Sequence, residues 1–254
     1  VVRPLSEENI AQATLVPAMI QACLVMVPDV AQRSYPALKS MAYGASPIAA
    51  DTLTKAMDAF KCDFVQAYGM TETTAVLTTM SHDEHRRALA GEPHLLLSAG
   101  RPLIGTEVKI VDENDDEVAP GTVGEICGKG PQLMRGYWNL DEASEAALRG
   151  GWMHTGDAGR MDEEGFLFVE DRVKDMIISG GENVYPREVE NCLFQHAGVA
   201  DCAVIGVPHE KWGETIKAVV CCKSGAEVSE NEIIAFARER IAHYKCPTSV
   251  DFIA

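Results

Sequence analysis

The chain lacks any apolar run long enough to cross a bilayer as a helix, which takes about 20 residues. Residues 15–30 come closest, but Pro17, Gln21, Pro28 and Asp29 interrupt them. They follow no basic leader and end at no small-residue cleavage site, so no signal peptide is expected there. No Cys-x-x-Cys pair occurs among the eight cysteines at 23, 62, 127, 192, 202, 221, 222 and 246, and the adjacent Cys221 and Cys222 make a poor metal clip. Reduced, mostly buried thiols in a cytoplasmic protein are the expectation. His82, His85, His94, His154 and His196 show no metal-ligand spacing. Basic residues are scarce: 22 Lys and Arg against 38 Asp and Glu leave a formal net charge of −16. That balance argues against the basic footprint of a nucleic-acid binder and favours solubility. Aromatic residues make up only 6%, yet an apolar fraction of 46% over 254 residues suffices for one large domain or two ordinary ones. No internal repeat or low-complexity tract appears.

What is there alternates in texture. Glu7 to Val27 reads as a helix broken near Pro17, and Leu38 to Tyr43 as a buried strand ending at Gly44. Asp51 to Phe60 has helical spacing, with Leu53, Met57 and Phe60 apolar. Phe64 to Tyr68 is a second short strand before a glycine turn. This alternation predicts an α/β fold, part of a doubly wound sheet, over residues 1–99, with ligands at the carboxyl ends of strands. From Gly100 the pattern becomes β-rich: Val108–Val111, Gly124–Cys127 and Phe166–Val169 read as short strands of a subdomain spanning 100–171. After Arg172 come a helix from Pro186 to Gln195, strands over 200–207 and 216–222, and a helix from Ser229 to Ala242. Ser229-Glu230-Asn231-Glu232 opens that last helix with a capping-box pattern. Residues 172–254 thus read as a small α+β domain of ordinary size.

Three motifs carry chemistry. The stretch from Glu170 to Pro186 holds Asp171-Arg172, Lys174, an apolar run and a Gly180-Gly181 turn closed by Pro186. Gly-Gly lets backbone approach a ligand closely, and an Arg offers a planar fork of donors for hydroxyl and phosphate oxygens. Tyr68-Gly69-Met70-Thr71-Glu72-Thr73 lies upstream, and Gly151-Trp152-Met153-His154-Thr155-Gly156-Asp157 between them. Taken singly, each has an ordinary reading. Thr71-Glu72 would cap a helix, Asp157 would close an Asx-type turn, and Arg172 would form a surface ion pair worth little. Gly44-Ala45-Ser46 would be a plain strand-to-helix turn, Tyr68 core, Lys174 an exposed lysine and Ser179-Gly180-Gly181 a hairpin turn.

In order and spacing, the three motifs together resemble the adenylate-forming superfamily of acyl-CoA synthetases, luciferases and peptide-synthetase adenylation domains. The resemblance covers nearly the whole chain. It implies an ATP- and Mg²⁺-dependent acid–CoA ligase acting on a carboxylic acid, with fatty, aryl and short branched acids open and a fatty acid the favoured one. Residues 1–171 would be the C-terminal part of the large AMP-binding domain, and 172–254 the small mobile domain. Gly44, Ala45, Ser46, Gln66, Tyr68 and Gly69 would line the nucleotide site, with the Tyr68 ring against adenine. Thr71 would bond the α-phosphate, and Glu72 would hold Mg²⁺ through a hard carboxylate oxygen. Asp157 and Arg172 would hold the ribose, and Asn183 would approach the nucleotide in one pose. Lys174 would be the hinge, and Ser179, Gly180 and Gly181 would line the path of coenzyme A. Arg135-Gly136-Tyr137-Trp138 and Trp212-Gly213-Glu214 also recur in the family and are assigned to packing. The resemblance further implies a phosphate loop before Val1 and an adenylation lysine beyond Ala254. On that reading the chain is a C-terminal fragment, inactive alone. A domain that loads a carrier protein, or a nucleotide-binding module without chemistry, are the alternatives.

Overall fold

Proline and glycine punctuate the first sheet. The computed structural model describes residues 1–46 and 48–253, which group into two units. One comprises Val1–Thr155 with Gly159–Val169, the other Gly156–Ala158 with the residues from Glu170 onward. The first unit opens with helix α1 (Val2–Glu7), strand β1 (Gln12–Leu15), helix α2 (Pro17–Met26), strand β2 (Ser40–Gly44), helix α3 (Ala50–Phe60) and strand β3 (Asp63–Tyr68). Pro17 starts α2 instead of breaking a longer helix, because proline at the first helical position loses only a donor that has no partner there. The expected helix from Glu7 to Val27 is therefore corrected. Residues 12–15 are extended and pair in parallel with β2, Gln12 opposite Ser40 and Leu15 opposite Tyr43.

β2 runs parallel to β3, with Gly44 opposite Ala67. Strands β4 (Thr78–Met80) and β5 (Arg101–Pro102) add antiparallel, giving the order β1-β2-β3-β4-β5. Helix α4 (His82–Ala90) lies between the last two in sequence. Ile20, Leu53, Ala56 and Phe60 from the helices bury against Met41, Tyr43 and Phe64 of the sheet. α4 begins with a reciprocal cap: Glu84 N donates to Ser81 Oγ (3.4 Å) and Ser81 N donates to Glu84 Oε2 (2.6 Å).

His85, one residue further, is fully buried. Its Nδ1 lies 2.7 Å from the Ser81 carbonyl oxygen and its Nε2 2.9 Å from Tyr43 Oη. A neutral ring satisfies both, donating to the carbonyl and accepting from the phenol. Burial pushes the His85 pKa down, against the raising effects of the Ser81 carbonyl and Glu84. Unfolded, the ring titrates near 6.5, so below about that pH the unfolded state takes up a proton that the native state refuses. Stability present at pH 7 is thus lost on acidification. We expect the wild-type melting temperature to fall more steeply between pH 7 and 5 than that of His85→Gln, measured by calorimetry. Equal slopes would remove His85 from the acid response.

Strands β6 (Glu107–Val111), β7 (Gly124–Lys129), β8 (Met153–Met161) and β9 (Leu167–Arg172) form a second sheet in chain order. Short helix α5 (Asp141–Ala147) precedes β8. The second unit contains β10 (Ile177–Ser179), β11 (Glu182–Val184), α6 (Pro186–Leu193), β12 (Val199–His209), β13 (Gly213–Cys222), α7 (Glu230–Arg238) and β14 (Ser249–Ile253). Its sheet runs β11-β10-β13-β12, with β14 parallel to β13. Val189, Leu193, Ile216, Val220, Ile233 and Ala237 fill the core under it. The Ser229 hydroxyl caps α7 by accepting from Glu232 N at 3.3 Å, one of the two bonds of the capping box its sequence predicts. Among the described residues, no helix is long and apolar enough to cross a membrane.

Candidate functional site

Parallel register brings the first group of residues together. Tyr43 stands opposite Gln66 and Gly44 opposite Ala67, so the Gly44-Ala45-Ser46 turn and the segment leaving Tyr68 emerge at the carboxyl ends of adjacent strands. In an open α/β sheet that is the edge where ligands settle. Ala45 takes a left-handed φ of 68° and, like Ser46, is exposed. Gln66 Nε2 is oriented to donate to Ala99 O (3.1 Å) and Ser98 O (3.2 Å), so its amide braces the sheet. Tyr68 is half-buried beside Val108, Ile110 and Leu167.

Gly69 is demanded by its surroundings: a Cβ there would lie 2.4 Å from the Ala75 carbonyl oxygen. The chain folds back through a 3₁₀ turn, Thr71–Thr73, and left-handed Thr74 and Ala75. Thr73 is fully buried, and its hydroxyl lies 3.0 Å from both Met70 N and Met70 O. Thr71 faces solvent, while Glu72 is half-buried. The Glu72 carboxylate accepts a 2.8 Å hydrogen bond from Tyr137 Oη on Oε1. That bond to Glu72, with burial second, pushes the Tyr137 pKa up, so the phenol remains a donor at neutral pH. Glu72 Oε2 has no hydrogen-bond partner among the described residues.

The second unit carries the other candidates. Asp157 is mostly buried, and its Oδ1 lies 2.9 Å from Nε of the half-exposed Arg172. Lys174 sits exposed in a 3₁₀ turn, Val173–Asp175, directly after β9. Ser179 and Glu182 pair across a two-residue hairpin whose loop is Gly180-Gly181, with φ of 63° and 89°. Positive φ at both positions selects glycine. Gly180 N donates to Trp212 O at 2.9 Å, and a Cβ on Gly180 would meet Trp212 Cε3 at 2.8 Å. Asn183 is exposed on β11, opposite Ile178.

Two tryptophans assigned to packing need correction. Trp138 is 89% exposed, and Trp212 is 46% exposed with one face against Gly180. The amphipathic indole ring tolerates such surface positions, so residue type alone misplaced it. The sequence reading also missed what Tyr137 touches. Its motif was visible, but nothing local marked Glu72 as its partner.

Among the described residues, one group of His, Cys and carboxylate donors lies close enough together for a metal: Glu125, Cys127 and His154. His154 Nδ1 lies 2.8 Å from Glu125 Oε2 and 3.3 Å from Cys127 Sγ. Burial pushes the Cys127 thiol up to about 12, and Arg149 already holds Glu125 at 3.0 Å. The three side chains thus form a hydrogen-bonded group within the β-rich sheet, tied to Arg149 through Glu125.

The first unit thus carries an α/β sheet with an acidic turn at the carboxyl ends of its parallel strands, and the second is a compact α+β unit. Residues 1–138 match the family described as AMP-binding enzyme, and residues 188–254 match the AMP-binding enzyme C-terminal domain; the chain belongs to this family. It is 38% identical over 245 residues to a fatty acid–[acyl-carrier-protein] ligase of Streptomyces coeruleorubidus, covering 96% of this chain and 46% of that protein. It is 42% identical over 242 residues to a medium/long-chain-fatty-acid–CoA ligase of Mycobacterium tuberculosis, covering 94% and 41%. The o-succinylbenzoate CoA synthetase of Bacillus subtilis, solved with its acyl-adenylate intermediate, matches with a TM-score of 0.86 at 33% identity, over 99% of this chain and 49% of that one. The chain spans about half the length of the curated relatives it matches.

Proposed function

We propose that the protein carrying this chain is an ATP- and Mg²⁺-dependent acid–CoA ligase acting on a fatty acid. The acid's carboxylate attacks the α-phosphorus of ATP, releasing pyrophosphate and forming acyl-AMP. The thiol of coenzyme A then attacks the acyl carbon, releasing AMP and leaving acyl-CoA. The observation that carries this reading is the register of β2 and β3, which sets the Gly44–Ser46 turn beside the strand end leading to Glu72. Tyr68 and Gly69 serve the adenine side there, with Ala45 and Ser46, and Thr71 takes the α-phosphate. Gln66 contributes through the sheet edge it braces.

The Glu72 carboxylate suits Mg²⁺: it is a hard oxygen donor with Oε2 still open, and Mg²⁺ binds through one or two carboxylates. When bound, Mg²⁺ supplies neutralisation of charge on the phosphate oxygens. In the second unit, Asp157 and Arg172 take the ribose hydroxyls, two acceptor oxygens and a guanidinium fork being apt for a diol. Asn183 approaches the nucleotide, and the Ser179–Gly181 hairpin passes the pantetheine arm. Residues 1–171 are read as part of the large domain and 172–254 as the small mobile one, pivoting at Lys174. A cytoplasmic location belongs to this reading, consistent with the eight free cysteines.

The chain itself provides the first test. Binding to the native state alone raises stability by mass action, about 2.7 kcal/mol at a ligand concentration 100 times Kd. A thermal melt with AMP or a fatty acyl-adenylate analogue should therefore shift upward, and less so for Asp157→Ala. A cooperative melt that neither ligand moves would count against a nucleotide site in these residues. A second reading, transfer to a carrier protein, is favoured by the similarity to the fatty acid–[acyl-carrier-protein] ligase of Streptomyces coeruleorubidus. In a protein of the relatives' length, acylation of a pantetheinylated carrier with free CoA inert would establish it.

A further inference from the structure

We propose that Tyr137 is a positioning residue for the Glu72 carboxylate, and that the Gln132–Tyr137 segment forms a wall holding the 71–74 turn in its working shape. Three hydrogen bonds carry the proposal. Thr74 Oγ1 donates to Gln132 O at 2.6 Å, Met134 N donates to Glu72 O at 2.7 Å, and Tyr137 Oη donates to Glu72 Oε1 at 2.8 Å. Both the backbone and the side chain of Glu72 are thus held by one segment some sixty residues downstream.

That segment is itself fastened at two ends. Gln132 Nε2 donates to Thr106 Oγ1 at 2.7 Å, and Tyr137 N donates to Ser144 Oγ at 2.8 Å. Ser144 belongs to α5, and its hydroxyl also donates to the Leu140 carbonyl at 2.8 Å. The tyrosine is therefore preorganised from the helix side before it reaches the carboxylate.

A phenol donating to Oε1 does two things to Glu72. It stops rotation about the terminal carboxylate torsion, which is otherwise broad. It also leaves Oε2 as the oxygen presented outward, making Glu72 a single-oxygen ligand suited to the octahedral demands of Mg²⁺. Partners that orient a ligand in this way typically change metal affinity by about 10–100-fold when removed. This rests on the reading of Glu72 as the Mg²⁺ ligand.

The experiment follows the Mg²⁺ dependence of acid-dependent ATP–pyrophosphate exchange in a protein of the relatives' length. For Tyr137→Phe we expect the half-saturating Mg²⁺ concentration to rise about 10-fold, the rate to recover largely at saturating Mg²⁺, and the melting temperature to stay near that of the wild type. A folded Tyr137→Phe protein with unchanged Mg²⁺ dependence, beside a Glu72→Gln protein that has lost it, would overturn the positioning role alone. Unchanged Mg²⁺ dependence in both variants would overturn the Glu72 assignment with it. Should Tyr137→Phe not fold, Ser144→Ala, which only loosens the tyrosine, should raise the half-saturating concentration by a smaller factor; no rise there would overturn the proposal.

Discussion

Glu72→Gln is expected to lower acid-dependent adenylate formation by about 10²–10³-fold, the usual loss when a preorganised charge partner of the reacting group is removed. The substitution keeps the shape of the side chain and a carbonyl oxygen for Tyr137 Oη, now 2.8 Å from Oε1. What it removes is the negative charge that, in the proposed function, holds Mg²⁺. Glu72 is half-buried and the turn around it is fixed by backbone bonds, Met134 N to Glu72 O among them. The variant should therefore melt close to the wild type. Pyrophosphate exchange in a protein of the relatives' length, with melting as the folding control, checks both halves. A rate within a few-fold of wild type at ordinary Mg²⁺ would remove Glu72 from the chemistry.

Phe64→Ala is expected to cost about 3–5 kcal/mol, the range for deleting a buried aromatic ring and leaving a cavity. Phe64 is fully buried in β3, opposite Met41 of β2, with its ring centroid 6.2 Å from that of Tyr43. Small domains hold only about 5–15 kcal/mol in all, so the first unit would be left marginal. β3 also carries Tyr68 and leads to Glu72, so the AMP-dependent rise in melting temperature should shrink with it. Urea unfolding of the chain measures the loss. A cost near 1 kcal/mol would show that the sheet closes over the vacancy and that β3 does not anchor this edge.

Legibility varied with the range of the interactions involved. Helix α3 was expected over Asp51–Phe60 and spans Ala50–Phe60, because apolar spacing and a following strand are written within a dozen residues. β3 and the Ser229 cap were readable for the same reason. β1 was not: four residues show no period that separates them from a helix, and only pairing with β2, some 28 residues on, makes them extended. Trp138 and Trp212 were misplaced because the type of a residue says what it can bury, not whether the chain buries it.

The sequence by itself determined the family, the order of its motifs and the identity of the residues that carry charge and turn geometry. Glycine at 69, 180 and 181 is one instance, since turn chemistry acts within a few residues. Only the tertiary structure decided which of those residues meet. Tyr137 reaches Glu72 across 65 residues, and the buried His85 reaches Tyr43 across 42. Arg172 reaches Asp157 at 2.9 Å from the neighbouring strand. Each contact depends on sheet register and on the path of a loop, which are set by the packing of the whole core and leave no mark in the local pattern.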